Sequence, residues 1–214
     1  MENYRADISS STAGDKTRVP SAELRVVVGE RHVHLSEPVI EQLFCDHYRL
    51  HVEFEVSQPP QFAAREMVAL VGPRGRIPEV RVIGPARAVN QIEISQSDAQ
   101  MLGIPAPLRA SGDLHDTPGI MLEGPRASVR LDRGVIRSLR HIHLSPSEAD
   151  RHGLKDGDRI DVARADPLDG MLFRDVLVRV GATFRSELHL DADDGRAAGL
   201  HSGAHVAIKA KEPV

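Results

Sequence analysis

The hexapeptide RHVHLS occupies residues 31–36, and a near copy, RHIHLS, occupies residues 140–145. Each copy places two histidines at positions i and i+2. In an extended strand these side chains lie on the same face, about 6.5–7 Å apart along the chain. Two neutral imidazoles placed this way can bind one metal ion. The repeated hexapeptide therefore predicts two related metal sites, each supported by a strand.

The similarity between the two halves extends beyond the hexapeptides. RHVHLSEPVIEQLF aligns with RHIHLSPSEADRHG, and further along the chain IEISQSDAQMLGI aligns with LHLDADDGRAAGL. In each half a strand with two histidines leads into a helix, and a later strand leads into a second helix that ends at Gly103 or Gly199. Ser145 starts a capping-box pattern with Pro146 and Glu148, and Ser36 holds the matching position. The chain is therefore predicted to contain a duplicated domain.

The second alignment supplies a third ligand for each histidine pair, because Glu93 aligns with His189. Three protein ligands with an open position are typical of catalytic zinc, whereas structural zinc has four. A carboxylate ligand would leave the first ion closer to neutral than the second. The predicted ligands are His32, His34 and Glu93 for the first ion and His141, His143 and His189 for the second.

The rest of the chain indicates a mainly β fold. Its 214 residues are enough for two small domains. Short β-like segments such as LRVVV, MVALVG and VLVRV are separated by turn signals, among them Gly72-Pro73 and Asp156-Gly157. Aromatic residues make up only 3% of the chain and Trp is absent, so aliphatic side chains must fill the interior. This pattern is typical of a β-sandwich or β-barrel.

Composition also excludes several classes of function. The net charge of −4, with Lys and Arg scattered, argues against a nucleic-acid partner. The single cysteine, Cys45, excludes an internal disulfide and a Cys-rich zinc ribbon, and suits a reducing compartment. We find no apolar run of the roughly 18 residues that a membrane span needs. Residues 1–20 are poor in apolar side chains and are predicted to be a disordered tail. We therefore expect a cytoplasmic protein without a membrane partner.

The chain resembles the PduL-type phosphotransacylases, also called phosphate propanoyltransferases, from Leu24 to the C-terminus. The resemblance rests on RHVHLS, QPPQFAAREMVALVGPRG, VRVIGPAR, QIEIS, RASGDLHDTPGI, RHIHLSPSEADRHGLKDGD, FRDVLVRV and ELHLDADD. It implies two small β-barrel domains related by duplication and capped by short helices, with two zinc ions per chain on the two ligand sets. The implied domains are 31–138, with the first metal site, and 21–30 plus 139–214, with the second.

The resemblance also implies an activity. Members of this family move a short acyl group, propanoyl or acetyl, between coenzyme A and inorganic phosphate to give an acyl phosphate, and no covalent acyl-enzyme is required. The substrates are therefore expected to be acyl-CoA and phosphate, and Arg87 in GPAR is expected to bind the phosphate. Homo-oligomerisation and association with a bacterial microcompartment shell stay open. NYRADISSSTAG lacks the apolar stripe of a microcompartment-targeting helix, which favours the cytoplasm over the microcompartment lumen.

The sequence departs from the family pattern at three positions, and two alternative functions stay open. Gly29 and Glu30 stand where the family commonly has Ser and Asn, and Arg196 stands where it has Asn. The alternatives are a metal-dependent hydrolase of thioesters or acyl phosphates, and a non-catalytic metal-binding barrel protein. Arg31 and Arg140 precede the histidine pairs, where either a structural salt bridge or substrate binding would suit them.

Overall fold

The computed structural model of the protein describes residues 23–164 and 171–209. The tail predicted for residues 1–20 lies outside these ranges. Among the described residues, we find no helix with the length and apolar character needed to cross a membrane.

The described residues form many short strands and a few short helices. The strands are β1 (Glu23–Gly29), β2 (His32–His34), β3 (Val52–Glu55), β4 (Phe62–Val71), β5 (Arg76–Gly84), β6 (Gln91–Glu93), β7 (Leu108–Arg109), β8 (Ile120–Glu123), β9 (Ser128–Leu131), β10 (Val135–Ser138), β11 (His141–Leu144), β12 (Arg159–Arg164), β13 (Leu172–Val180), β14 (Glu187–Asp191) and β15 (His205–Ile208). The helices are α1 (Glu37–Leu43), α2 (Gln96–Leu102), α3 (Pro146–Arg151) and α4 (Ala192–Ala197). Val, Ile and Leu dominate the buried strand positions, where branched side chains pack well on a pleated surface.

Six strands form a closed barrel in the order β1-β14-β11-β13-β12-β15. Strand β1 lies parallel to β14 and antiparallel to β15, so the first described strand completes a barrel whose other strands come from the C-terminal half. The interior is aliphatic, and Val26, Ile142, Val178 and Leu188 have no solvent exposure.

The remaining strands form a second sheet in the order β7-β10-β6-β2-β5-β4-β8-β9, with β3 beside β4. This sheet is curled into a half-barrel around its own core, which includes Val33, Leu70, Val82 and Ile92. Ile40 and Leu43 of α1 and Leu102 of α2 are part of the same core. The predicted mainly β fold with short capping helices is confirmed, with one barrel closed and the other open between β7 and β9.

The helices begin and end where the duplicated pattern predicts. The capping box predicted before α3 is confirmed, because the Glu148 carboxylate accepts hydrogen bonds from the backbone N–H and the hydroxyl of Ser145. Ser36 is the N-cap residue of α1, but its side chain makes no capping hydrogen bond. Gly103 ends α2 with a φ of 72°, and Gly199 follows α4 with a φ of 60°. Glycine adopts this left-handed conformation without steric cost, which explains both helix ends.

Candidate active site and metal centre

The two predicted ligand sets assemble because of strand pairing. In the first half β2 is antiparallel to β6, which places His32 directly opposite Glu93. In the second half β11 is antiparallel to β14, which places His141 directly opposite His189. The second histidine of each pair lies two residues further on the same face. Within each set the ligand atoms lie within 4.8 Å of one another, so the structure brings the six predicted residues together as two groups of three.

The first histidine of each pair is oriented by its own backbone. His32 Nδ1 lies 2.9 Å from the carbonyl oxygen of Glu30, and His141 Nδ1 lies 2.8 Å from that of Leu139. An imidazole that donates its Nδ1 proton to a carbonyl leaves the Nε2 lone pair free to bind a cation. Both halves therefore present the same nitrogen in the same way.

In the first set, the Nε2 atoms of His32 and His34 both lie near one carboxylate oxygen of Glu93. His34 Nδ1 lies 3.2 Å from the carbonyl oxygen of Ile83, which leaves Nε2 as its free nitrogen. Glu93 Oε1 is 3.8 Å from His32 Nε2 and 4.0 Å from His34 Nε2. These separations leave room for an ion of the size of zinc between three ligand atoms, since zinc binds nitrogen and oxygen at about 2.0–2.2 Å.

Electrostatics keeps the first set ready for a cation. Burial, with the nearby positive charges of His32 and Arg87, lowers the pKa of His34 to about 3. Burial raises the pKa of Glu93, but its interactions with the neighbouring histidines and with the charge of Arg87 outweigh burial, and the net shift of the pKa is downward. At neutral pH the set therefore holds a neutral imidazole and an ionised carboxylate, which are the metal-binding forms.

The second set consists of three histidines, and burial favours the neutral form of each of them. Burial, followed by the charges of His141 and Arg179, lowers the pKa of His143 to about 3. Burial also lowers the pKa of His189 well below its usual value. An imidazole that resists protonation does not need to release a proton when it binds a metal ion.

Three buried polar atoms near the ligands have no hydrogen-bond partner among the described residues. They are His143 Nδ1, His189 Nε2 and Ser138 Oγ. An unsatisfied buried polar group costs about 1–3 kcal/mol, so proteins rarely retain one without a function. Two of the three belong to the second ligand set, which supports the fit of that set to a cation.

Both ligand sets open into one cleft of about 80 Å³. Its lining includes His32 and Glu93 from the first set, His141 and His189 from the second, and Ser138. The cleft lies between the half-barrel and the closed barrel, since β2 and β6 belong to one and β11 and β14 to the other. A reactant in this cleft would be within reach of both sets.

Arg87 follows β5 and lies close enough to the first set to affect its charge. Its Nη2 donates a hydrogen bond to Gln61 Oε1 at 2.9 Å, which fixes one edge of the guanidinium. Burial lowers the pKa of Arg87, and the Glu93 carboxylate opposes this shift. A partly buried guanidinium has a strong preference for an anionic partner, because water screens its charge poorly.

Sequence reasoning missed several residues that lie against the ligands. Arg179 of β13 is paired with His143 in the neighbouring strand. Gln91 and Glu187 each lie two residues before a third ligand, and Gln58 reaches Glu187 from the loop between β3 and β4. The sequence could have indicated Gln91 in QIE and Glu187 in ELH, because a residue two positions before a predicted ligand lies on the same face of the strand. No local pattern in the sequence pointed to Gln58.

The two arginines that precede the histidine pairs are both engaged in ion pairs. Arg31 Nη2 lies 2.8 Å from Asp98 Oδ1. Arg140 makes a bidentate pair with Asp194, at 2.7 Å and 2.8 Å. Each aspartate is the third residue of the helix that follows the third ligand. These contacts favour the structural alternative for both arginines.

The departures from the family pattern lie around the cleft and on α4. Gly29 and Glu30 line the cleft, and the carbonyl of Glu30 orients His32. Because a backbone carbonyl provides this contact, the orientation of His32 does not depend on which side chain stands at position 30. Arg196 lies on α4 and pairs with Asp193 at 3.3 Å.

Comparisons with known proteins match this arrangement to one family. A sequence model described as phosphate propanoyltransferase matches residues 25–201. A Thermotoga maritima protein named phosphate propanoyltransferase is 45% identical and aligns with 86% of this chain and 87% of its own length. Proteins with the same name from Rhodopseudomonas palustris (41% identical, 94% of this chain, 88% of its own) and Salmonella typhimurium (45%, 80% and 81%) match similarly. The predicted family and its transferase class are confirmed, and the chain belongs to the phosphate propanoyltransferase family.

Proposed function

We propose that this protein transfers a short acyl group between coenzyme A and inorganic phosphate with the help of two zinc ions. The observation that carries the proposal is the opening of two three-residue ligand sets into one cleft. The names of its relatives supply the reaction class. The proposal covers both short acyl groups, propanoyl and acetyl.

The donor chemistry of both sets suits zinc. Neutral imidazoles and a carboxylate, three to a set with no fourth protein ligand assigned, correspond to an open zinc site. The first ion would be held by His32, His34 and Glu93, and the second by His141, His143 and His189. Bound zinc supplies Lewis acidity, which polarises a carbonyl oxygen and favours the ionised form of a thiol.

Arg87 is proposed to bind the phosphate. Its planar guanidinium can donate two parallel hydrogen bonds to phosphate oxygens, and Gln61 holds it in place for that purpose. Arg179, which is paired with His143 and close enough to Arg87 to affect its charge, adds a second positive charge for the same anion. Both charges are partly shielded from water, which strengthens their attraction to a dianionic substrate.

The transfer is proposed to be direct. A phosphate oxygen forms a bond to the thioester carbonyl carbon, the carbon–sulfur bond breaks, and the sulfur leaves as the thiolate of coenzyme A. Cys45 is exposed and is not among the residues that line the cleft, so no acyl-cysteine is invoked. The hydroxyl of Ser138, buried in the cleft without a partner among the described residues, can donate to an oxygen of the reacting group.

The division of the chain into domains is also a proposal. Residues 31–138 would form one unit and residues 21–30 with 139–214 the other, which is supported by two separate hydrophobic cores. We further propose a cytoplasmic enzyme, with the microcompartment lumen, shell association and homo-oligomerisation as alternatives for fractionation and sizing experiments.

One assay tests the reaction. Purified protein is incubated with propanoyl-CoA or acetyl-CoA, with and without phosphate, while free thiol and acyl phosphate are measured. We expect release of coenzyme A that requires phosphate and equals the acyl phosphate formed. Release without phosphate would identify the hydrolase alternative, and no release would identify the non-catalytic one. Protein treated with a chelator, and then with zinc, tests whether activity depends on the metal.

A further inference from the structure

Gln91 and Glu187 lie two positions before the third ligands, Glu93 and His189, and the two halves carry different functional groups at these positions. Gln91 is paired with His34 across β2 and β6, and Glu187 is paired with His143 across β11 and β14. The two positions are therefore equivalent. The first half has an amide at this position and a carboxylate at the ligand, whereas the second half has a carboxylate here and an imidazole at the ligand.

Both side chains are buried against their neighbouring ligand. Gln91 is 1% exposed, and its Nε2 donates to Glu93 Oε1 at 2.6 Å. Glu187 is 4% exposed, and its Oε2 lies 3.6 Å from His189 Nε2. In each half the amide or carboxylate thus contacts the group that would bind the ion.

Glu187 is held by a neutral donor. Gln58 Nε2 donates to Glu187 Oε2 at 2.7 Å and to the carbonyl of Arg185 at 3.0 Å, while Gln58 Oε1 accepts the Arg185 N–H at 3.2 Å. These three contacts fix the amide, so its N–H faces the carboxylate. Gln58 satisfies a lone pair of Glu187 but does not cancel its charge, as Lys or Arg would.

Within residues 23–164 and 171–209, no Lys or Arg side chain forms an ion pair with Glu187. Among the ion pairs of the described residues, Glu187 takes part only in the contact with His189. An isolated buried carboxylate is costly, and proteins retain one when it is paired or lies beside a metal ion.

We infer that Glu187 is a positioning residue that supplies the negative charge of the second metal site, as Glu93 does for the first. Each site then contains one carboxylate, which would bind the ion directly in the first half and lies beside His189 Nε2 in the second. The two ions have the same charge balance, although their ligands alone would make the second site more positive. This inference rests on the two zinc sites of the proposed function.

The test measures zinc binding, not activity. Wild-type protein and Glu187→Gln are titrated with zinc against a competing chelator, and bound metal is counted by elemental analysis. We expect Glu187→Gln to retain tight binding of one ion and to bind the other about 10- to 100-fold more weakly. Glu66→Gln is the matched control, because Glu66 is also buried but lies next to Tyr48 and His51, away from the ligands. It should bind both ions as the wild type does.

A second variant moves the charge instead of removing it. The double substitution Glu187→Gln and His189→Glu gives the second half the Gln-x-Glu arrangement of the first, and it should restore most of the lost zinc affinity. Gln58→Lys keeps Glu187 but places a positive charge against it. This variant should bind one of the two zinc ions more weakly, as Glu187→Gln does. This variant keeps the test decisive if Glu187→Gln does not fold.

The outcomes separate the two proposals. If wild-type protein binds no zinc, the metal sites of the proposed function are wrong. If wild-type protein binds two ions and Glu187→Gln binds both with unchanged affinity, only the role of Glu187 is wrong. Failure of the double substitution to improve on Glu187→Gln would likewise overturn the view that the carboxylate acts through its charge.

Discussion

The half-barrel and the closed barrel hold their histidine pairs with the same contacts, although the two sheets differ in closure. In both, a backbone carbonyl two residues earlier orients the first histidine. In both, an arginine before the pair binds an aspartate on the helix after the third ligand. These contacts lie within a strand–helix unit and its partner strand, so they are independent of how the rest of the sheet closes. The halves differ in chemistry at the third ligand and at the residue two positions before it.

The difference shows which parts of a duplicated site are constrained. Backbone pairing fixes where the ligands lie, so geometry is shared. Side-chain identity at equivalent positions can change as long as the local charge and hydrogen bonds are satisfied. The following predictions test how far the two halves are equivalent.

The largest effect is expected when a single histidine of either ligand set is replaced. His34→Ala and His143→Ala should each reduce the zinc content from two ions to one and lower kcat by more than about 1000-fold, because the proposed transfer uses both Lewis-acidic sites. Elemental analysis and the acyl phosphate assay measure these effects. His115→Ala is the control, since this side chain is 83% exposed. If one variant kept both ions, the corresponding set would not be a metal site.

Arg87→Lys should have the next largest effect, and it tests a feature of the first half only. The second half places Arg179 beside His143 within a strand pair, whereas Arg87 of the first half follows the end of β5. An ammonium cannot bind two phosphate oxygens in parallel, and we expect a loss of about 100-fold in kcat with zinc content unchanged. Wild-type kinetics would move the phosphate site elsewhere. Arg130→Lys, on an exposed position, is the control.

Removal of the helix aspartates should destabilise the first half more than the second. The Asp98 side chain is 3% exposed and the Asp194 side chain 23%. Asp98→Asn should therefore lower the free energy of unfolding by about 1–3 kcal/mol, since it weakens a buried charged hydrogen bond. Asp194→Asn should cost less than about 1 kcal/mol, because solvent partly compensates. Urea unfolding of the zinc-free proteins compares them, and the reverse order would contradict the burial argument.

The smallest effect concerns the first helix of each half. Ser145→Ala should cost about 1 kcal/mol of unfolding free energy, because the hydroxyl of Ser145 contacts Glu148 in a capping box. The side chain of Ser36 makes no capping hydrogen bond, so Ser36→Ala should cost only about a few tenths of a kcal/mol. Thermal unfolding of both variants measures the difference, and equal losses would show that the caps are equivalent in solution.

The sequence predicted the parts of the site that follow local rules. The i, i+2 histidines and the capping box of Ser145 depend on strand and helix periodicity, and the internal alignment identified Glu93 and His189 as partners. Contacts made by residues distant in sequence were not predictable in this way. Gln58 reaches Glu187 from another unit, and Arg179 meets His143 only through a parallel strand pair. The open edge of the half-barrel also depends on long-range pairing that no local pattern specifies.

The placement of β1 has a consequence for how the chain folds. Arg25 in this strand pairs with Glu187, although the whole half-barrel lies between them in the sequence. The barrel therefore cannot close during synthesis until its last strand, β15, has left the ribosome. Contacts of such long range slow folding, since loop-closure entropy is lost before the contacts form. The half-barrel can collapse first, and by bringing its two ends together it would shorten the effective distance that β1 must travel to meet β14.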